Sequence, residues 1–274
     1  MTNERPTWLK AAYYALATAL VVLAVGPALW LLIVAIQPGG TGTSEVAPAS
    51  EWTIDNFKGA AEAGGLWRPL INSVIVTACQ TVLNVGLAAL AAYPLARMNF
   101  RGRNTLFLIV LATLMVPEQV IVVPLFVTIS DLGLYDTLLA VFLPFSVTAF
   151  GIYLCRQAFL GVPAALEEAA RIDGADSLRV WWHVMLPLAR PTLATLAVFS
   201  IIAAWSNLLW PLIVLQRESN LTLPVAINRL LSVFSTEIRY AYAASLMALV
   251  PMVIVYLLMQ RWLTRGILAG AVKG

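Results

Sequence analysis

The sequence predicts an all-α membrane protein that crosses the bilayer six times. Charged residues make up only 11% of its 274 residues, and the mean hydropathy is +0.85. Soluble domains average about 25% charged residues, so this composition is that of a membrane protein. Six apolar runs each supply the roughly 20 residues that a helix needs to cross about 30 Å of hydrocarbon.

The six predicted spans belong to a single transmembrane domain, residues 1–274. They cover residues 11–36, 70–96, 104–129, 137–159, 191–215 and 241–263. The first run is too long for a signal-peptide core of about 7–15 residues, so we expect it to remain as a helix. Residues 37–69, which contain Gly, Ser and Pro clusters, are predicted to form an irregular loop. Residues 216–240 are predicted to form a mixed polar loop.

The distribution of Lys and Arg predicts the orientation of the chain. With a cytoplasmic amino terminus, the inner segments carry twelve of the 17 Lys and Arg residues and the outer segments carry five. Cytoplasmic loops carry an excess of these residues, so both termini are predicted to lie inside. Arg217, Arg229 and Arg239 share one outer loop, which is the weakest point of this assignment.

Residues 163–187 form a polar island between the fourth and fifth spans. Glu167 and Arg171 are spaced as a favourable i,i+4 pair on a short helix. Gly174 permits the left-handed turn that ends a helix, and Asp176 or Ser177 can cap the next helix. The pattern predicts two short helices joined by a turn on the cytoplasmic side. Composition alone is equally consistent with an ordinary interfacial loop.

The spacing of this segment is more specific than its composition. Glu168-Ala169-Ala170, three residues, Gly174, nine residues and Val184-Met185-Leu186-Pro187 resemble the EAA loop of ABC-importer permeases. Val184 in place of isoleucine is the one departure from that pattern. The resemblance implies that the loop docks into a cleft of a separate ATPase subunit. The residues that it assigns to this coupling are Glu168, Ala169, Ala170, Asp173, Gly174, Leu186 and Pro187.

The resemblance covers nearly the whole chain and is strongest to the carbohydrate-uptake branch, in particular to the smaller permease of maltose-type importers. The segments that carry it include FRGRN, VPEQVIVVPLF, DLGLYDT and the tail QRWLTRGILAGAVKG. It implies a type I importer permease in a bacterial inner membrane, carrying a di- or oligosaccharide. The implied partners are a second homologous permease, two copies of a cytoplasmic ATPase that binds ATP and Mg, and an extracytoplasmic solute-binding protein. A glycerol-phosphate or polyol permease is the alternative.

The sequence offers no catalytic constellation of its own. It contains no G-x4-G-K-[ST] loop for a nucleotide and no G-x-S-x-G turn for a nucleophile. Its single histidine, His183, has no neighbouring cluster with metal-ligand spacing. We therefore expect a non-catalytic subunit with no cofactor, no metal and no nucleic-acid partner. A secondary carrier that works alone fits six spans but leaves the EAA spacing unexplained.

Glu118 is the one acid inside an apolar run, and it is the first candidate for the substrate pathway. If the third span is a regular helix, Glu118 lies near the bilayer centre. A carboxylate there costs roughly 2.5–3.5 kcal/mol on insertion scales, so it should face protein or water. It is predicted to line or gate a pathway, or to be hydrogen-bonded between helices.

Asn207 and Trp210 are the second candidates for the pathway. In AWSNLLWPL these two residues are three apart and lie on one helical face, where an amide and an aromatic ring suit a sugar. The segment resembles the W-N-x-x-x-W-P stretch of sugar permeases. Interfacial tryptophans with a helix-packing asparagine are an equally good interpretation.

Overall fold

The computed structural model describes residues 7–38, 46–233 and 238–271, and this part of the chain is helical without a strand. The prediction of an all-α fold is therefore confirmed. The fourteen α-helices of this part are α1 Thr7–Ala35, α2 Asp55–Ala63, α3 Trp67–Arg97, α4 Arg103–Ala112, α5 Glu118–Asp131, α6 Leu138–Phe142, α7 Ala149–Leu160, α8 Ala164–Ile172, α9 Ser177–Val180, α10 Leu186–Leu188, α11 Arg190–Ser206, α12 Leu209–Val214, α13 Leu223–Val233 and α14 Ile238–Ala271.

Three helices are long and apolar enough to cross a membrane unbroken: Ala12–Ala35, Trp67–Arg97 and Ile238–Gln260. They correspond to the predicted first, second and sixth spans. Three bent pairs of helices also meet the requirement of length and composition, and the described residues give up to six spans if each pair is one. The pairs are Arg103–Met115 with Glu118–Asp131, Leu138–Phe145 with Ala149–Leu160, and Ser177–Leu188 with Arg190–Ser206. Within residues 191–215, the predicted fifth span, α11 ends at Ser206 and α12 begins at Leu209. Both termini of the chain lie outside the described residues.

The third span is not a regular helix, so the condition that would place Glu118 near the bilayer centre is not met. Arg103–Met115 and Glu118–Asp131 meet at an angle of 102°. Val116 and Pro117 between them are extended, with ψ of 117° and 135°. Pro117 disfavours the helical conformation for the residue before it, which explains why the break falls here. Glu118 consequently begins a helix and does not lie in the middle of one.

The chain forms two compact units, the first made of Met1–Leu66 and Ile227–Val250. Part of the predicted irregular loop is ordered here, because α2 follows a short 3-10 turn at Ala49–Glu51. Asn56 explains the order: its amide donates to the carbonyl oxygens of Ala35 and Gln37, at 2.8 and 2.7 Å. These carbonyls end α1 and have no partner within the helix. The second predicted loop, residues 216–240, likewise contains a helix, α13.

The second unit, Trp67–Ala226 and Pro251–Gly274, is built on α3, which packs against α7 and α11. Asn84 of α3 joins these helices, as its amide donates to Ser200 Oγ at 2.6 Å and its oxygen accepts from the backbone of Thr148 at 2.9 Å. Thr148 in turn caps α7. The helices approach closely at Gly151, where an added Cβ would lie 3.0 Å from the side chain of Ala88.

Asp136 fastens the turn before α6 to the segment that follows α12. Its carboxylate accepts from the backbone of Gln216 and Arg217 at 2.8 and 3.1 Å and pairs with Arg217 Nε at 3.0 Å. Its own carbonyl accepts from Asn220 Nδ2. Burial opposes the charge on Asp136, but the two N–H donors and the guanidinium outweigh it and hold the pKa of this carboxyl below its ordinary value.

The Asp136→Asn substitution should lower the thermal unfolding midpoint of the detergent-solubilised protein at pH 7, with Asp131→Asn as the exposed control. Hydrogen bonds to a charged group contribute about 1.5–3 kcal/mol, and the amide retains only part of this. Because the folded pKa is depressed, the stabilisation is complete above about pH 4 and is lost as the pH falls through the folded value. Equal midpoints at pH 7, or a difference that widens in acid, would contradict this role.

Candidate functional site: an exposed helical hairpin

The polar island forms the predicted pair of helices and turn, which we call the hairpin, residues 163–188. Gly174 has a φ of +83°, so the turn needs the left-handed conformation that glycine adopts without strain. The N–H of Ala175 returns to the carbonyl of Ala170 at 2.9 Å and closes the end of α8. Asp176 accepts from the backbone of Arg179 at 2.8 Å and caps the second helix. The predicted turn, its cap and the Glu167–Arg171 pair are confirmed.

The second helix of the hairpin, Ser177–Leu188, changes its winding on the way back to the bilayer. Trp181–Met185 form a π turn, and the helix regains α geometry at Leu186. Pro187 has no N–H for the carbonyl of His183, which explains why the turn before it widens. Val180 and Met185 are fully buried in the core cluster that includes residues of α3 and α7. This side of the helix fixes the hairpin to the membrane-embedded core.

The opposite side of the hairpin presents apolar side chains to solvent, and we call it the coupling face: Glu168, Ile172, Asp173, Leu178 and Trp182. Ile172, Leu178 and Trp182 are 86%, 67% and 60% exposed. Exposed apolar side chains grouped within a charged rim mark a surface that binds a partner. The acids Glu168 and Asp173 are exposed beside them.

The residues assigned to coupling from the sequence divide between these two sides. Glu168, Ala169, Asp173 and Gly174 are exposed. Ala170 and Leu186 are half-buried against the core cluster, and Pro187 is half-buried. The motif thus contains exposed residues that form part of the coupling face and half-buried residues, two of which pack against the core.

Glu167 is a buried member of the hairpin that the motif did not single out. Its carboxylate accepts from Tyr93 Oη at 3.3 Å and from an Arg171 Nη at 2.9 Å, and lies 3.8 Å from Arg97 Nε. The hydrogen bond with Glu167 raises the pKa of Arg171. The i,i+4 spacing to Arg171 was visible in the sequence, whereas the approach of Tyr93 and Arg97 was not.

Two arginines bind carbonyl groups at the ends of α3 and α7. Arg97, the last residue of α3, donates to the carbonyls of Phe159 and Val162 at the end of α7. Arg156 of α7 donates to the carbonyl of Leu95 near the end of α3, at 3.1 Å. Carbonyls at a helix end have no partner within the helix, and cations there also match the helix dipole. Each of the two helices therefore caps the other.

The pathway candidates are only partly brought together. Asn207 lies in the break between α11 and α12, and its Oδ1 accepts from the backbone N–H of Trp210 at 3.3 Å. Trp210 is 1% exposed and its indole donates to the carbonyl of Ala140 at 2.8 Å, an arrangement that favours the packing interpretation for this ring. Glu118 is exposed at the start of α5 and makes no hydrogen bond or ion pair to either residue in the described part of the chain.

His183 is exposed, with Nδ1 3.2 Å from the carbonyl of Arg179. Within residues 7–38, 46–233 and 238–271, no three His, Cys, Asp or Glu side chains are grouped so that they could hold a metal ion.

Several helices long and apolar enough to cross a membrane, joined to a hairpin with an exposed apolar surface, are the architecture of a polytopic membrane protein. The chain belongs to the family described as binding-protein-dependent transport system inner membrane component, whose model matches residues 84–269. The family predicted from the EAA spacing is confirmed.

Curated relatives cover most of this chain. It is 35% identical to the arabinooligosaccharides transport system permease protein AraQ of Halalkalibacterium halodurans, over 100% of this chain and 99% of the relative. It is 33% identical to the diacetylchitobiose uptake system permease protein DasC of Streptomyces coelicolor, over 93% and 95%. It is 36% identical to the sn-glycerol-3-phosphate permease UgpE of Yersinia pestis, over 72% of this chain and 71% of the relative.

A solved structure has the same fold. It is a bacterial ABC transporter involved in the import of alginate, an acidic polysaccharide, and it matches 95% of this chain and 98% of its own with a TM-score of 0.81 and 25% identity. The chain is therefore a permease subunit with the fold of an ABC importer.

Proposed function

We propose that this permease carries a di- or oligosaccharide through the inner membrane in a complex driven by ATP. The whole-length similarity to an arabinooligosaccharide permease carries the choice of substrate class, and the diacetylchitobiose relative supports it. The glycerol-3-phosphate relative covers less of the chain and provides the alternative substrate.

The proposed partners are a second homologous permease, two copies of a cytoplasmic ATPase and an extracytoplasmic solute-binding protein. The family description, which names a binding protein, supports the last of these. The coupling face supports the ATPase as a partner, because its apolar and acidic side chains are exposed in the part of the chain that the structure describes. ATP and Mg belong to the ATPase in this proposal, and this chain hydrolyses nothing. In this proposal both termini and the hairpin lie on the cytoplasmic side, which the excess of Lys and Arg in the predicted inner segments supports.

The geometry of the hairpin suggests how ATP hydrolysis moves the pathway. The second helix of the hairpin is buried in the core on one side, so a displacement of the coupling face displaces the core helices with it. Closure of the ATPase pair moves the hairpin as a rigid body and switches the pathway between outward and inward access. Glu118 and Asn207 line or gate this pathway, and Trp210 supports it by holding Asn207 in the break.

The coupling role is tested by substituting two glycines at which an added side chain causes the same kind of backbone strain. Gly174 and Gly133 both have positive φ, +83° and +69°, and an added side chain would have open space at each. Valine should cost about 1–2 kcal/mol of backbone strain at either position. Gly174→Val should abolish ATP hydrolysis stimulated by the solute-binding protein, and Gly133→Val should retain it, because only the first lies beside the coupling face. The measurement is hydrolysis by the complex in proteoliposomes, with copurified ATPase quantified.

Glu168→Lys should have the same effect as Gly174→Val, because it inverts a charge on the coupling face. Near-normal uptake by both variants with the ATPase attached would show that the hairpin is only a loop. An equal loss in Gly133→Val would show that strain, and not coupling, is responsible.

The pathway role is tested by Glu118→Gln, which keeps the shape of the side chain and removes its charge. The variant should assemble normally and change the rate of uptake of labelled arabinotriose by about tenfold, equivalent to about 1.4 kcal/mol. Asp131→Asn at the other end of α5 is the control and should leave uptake unchanged. Unaltered uptake kinetics in Glu118→Gln would remove Glu118 from the pathway. Uptake of sn-glycerol-3-phosphate in place of arabinotriose by the unmodified complex would select the alternative substrate.

A further inference from the structure

A hydrogen bond and an ion pair connect α8, the first helix of the hairpin, to α3, the second span. Glu167 of α8 reaches Tyr93 and Arg97 near the end of α3, and these are the polar contacts that the described structure shows between the two helices. The side chains of Arg97 and Glu167 are only 12% and 11% exposed. The pair therefore lies inside the protein and not on its surface.

A buried ion pair is weak evidence for stability. Removing two charges from water costs as much as the pair regains unless further hydrogen bonds satisfy both partners, and apolar replacements are often neutral or stabilising. Here Arg97 also donates through a terminal Nη to the carbonyls of Phe159 and Val162, and Glu167 also accepts from Arg171. Arg97 Nε, 3.8 Å from Glu167, is buried and makes no hydrogen bond within the described residues, so the contact between the two charges is an ion pair alone. Such a network is directional, and it fixes the position of one helix against another.

The network connects three helices. Arg97 ends α3, Phe159 and Val162 lie at the end of α7 and just after it, and Glu167 lies in the first turn of α8. The coupling face begins at Glu168, the next residue along the chain. A displacement of α8 is thereby applied to α3 through Arg97 as well as to α7 through the connecting chain.

We propose that the Arg97–Glu167 pair, with Tyr93, is the joint that transmits movement of the hairpin to the second span. The proposal rests on the proposed function and adds positioning residues that touch neither ATP nor the carried sugar. Without the joint, the ATPase still binds the coupling face, but its closure no longer displaces α3.

The test removes both charges together, so that neither is left buried without its partner. The Arg97→Gln/Glu167→Gln variant is compared with the unmodified complex and with Arg101→Gln, an exposed arginine four residues further along. The double variant should copurify with the ATPase and retain basal hydrolysis, whereas hydrolysis stimulated by the solute-binding protein loaded with arabinotriose should fall about tenfold, within the usual range for coupling between sites. Arg101→Gln should behave as the unmodified complex.

A covalent joint should restore coupling. Arg97→Cys/Glu167→Cys is made in a background with Cys79→Ala and Cys155→Ala, and the two new thiols are linked with a short bis-methanethiosulfonate reagent. The unlinked protein should be uncoupled, and the linked protein should regain stimulated hydrolysis and arabinotriose uptake. A residue needed only for folding would not be rescued by a link added after assembly.

Three results would overturn the joint: normal stimulation in the double glutamine variant, loss of assembly in that variant, or no recovery after linking. The first leaves the proposed function intact, provided that the unmodified complex couples normally. If the unmodified protein copurifies with no ATPase, the proposed function itself is wrong, so the two failures are distinguishable.

Discussion

The second unit depends on how backbone polar groups are satisfied where its membrane helices end or break. Hydrocarbon offers no water to an unpaired N–H or C=O, and such helices are interrupted only where protein supplies the missing partners. Asn84 binds the backbone of Thr148 at the break in the fourth span, and Trp210 binds the carbonyl of Ala140. Arg97 and Arg156 exchange contacts with the ends of each other's helices. The breaks are thus held by side chains at defined places.

This arrangement accounts for the two-sided hairpin. One side of it continues the packed core through Val180 and Met185, and the other side carries exposed Ile172, Leu178 and Trp182. In the proposed coupling, the exposed side contacts the ATPase, while the buried side and the Glu167 network hold the hairpin to the core helices.

The sequence predicted the turn, cap and ion pair whose residues are close in the chain, and it did not predict contacts between residues far apart in the chain. Gly174, the Asp176 cap and the Glu167–Arg171 pair follow from residues within one turn of each other, and all three are confirmed. Arg97 and Glu167 are 70 positions apart in the chain, and the spacing of apolar residues along the sequence cannot predict a contact between such distant residues. Whether the third span is straight was left open, because hydropathy sums over a span in the same way whether or not the helix bends at Pro117. For Trp210 the sequence left sugar stacking and helix packing equally open, because composition cannot distinguish a buried indole from an exposed one; the buried ring favours packing.

The most direct measurement is the distance between α8 and the end of α3 during the ATP cycle. Spin labels at Ala165→Cys and Asn99→Cys, with Cys79 and Cys155 replaced by alanine, report this distance by double electron–electron resonance. The joint predicts the same distance distribution in the nucleotide-free and vanadate-trapped complexes, and distributions that differ between these states when Arg97 and Glu167 are both glutamine. A shift between the two states in the protein with the intact pair would contradict the account, because α8 would then move without the second span.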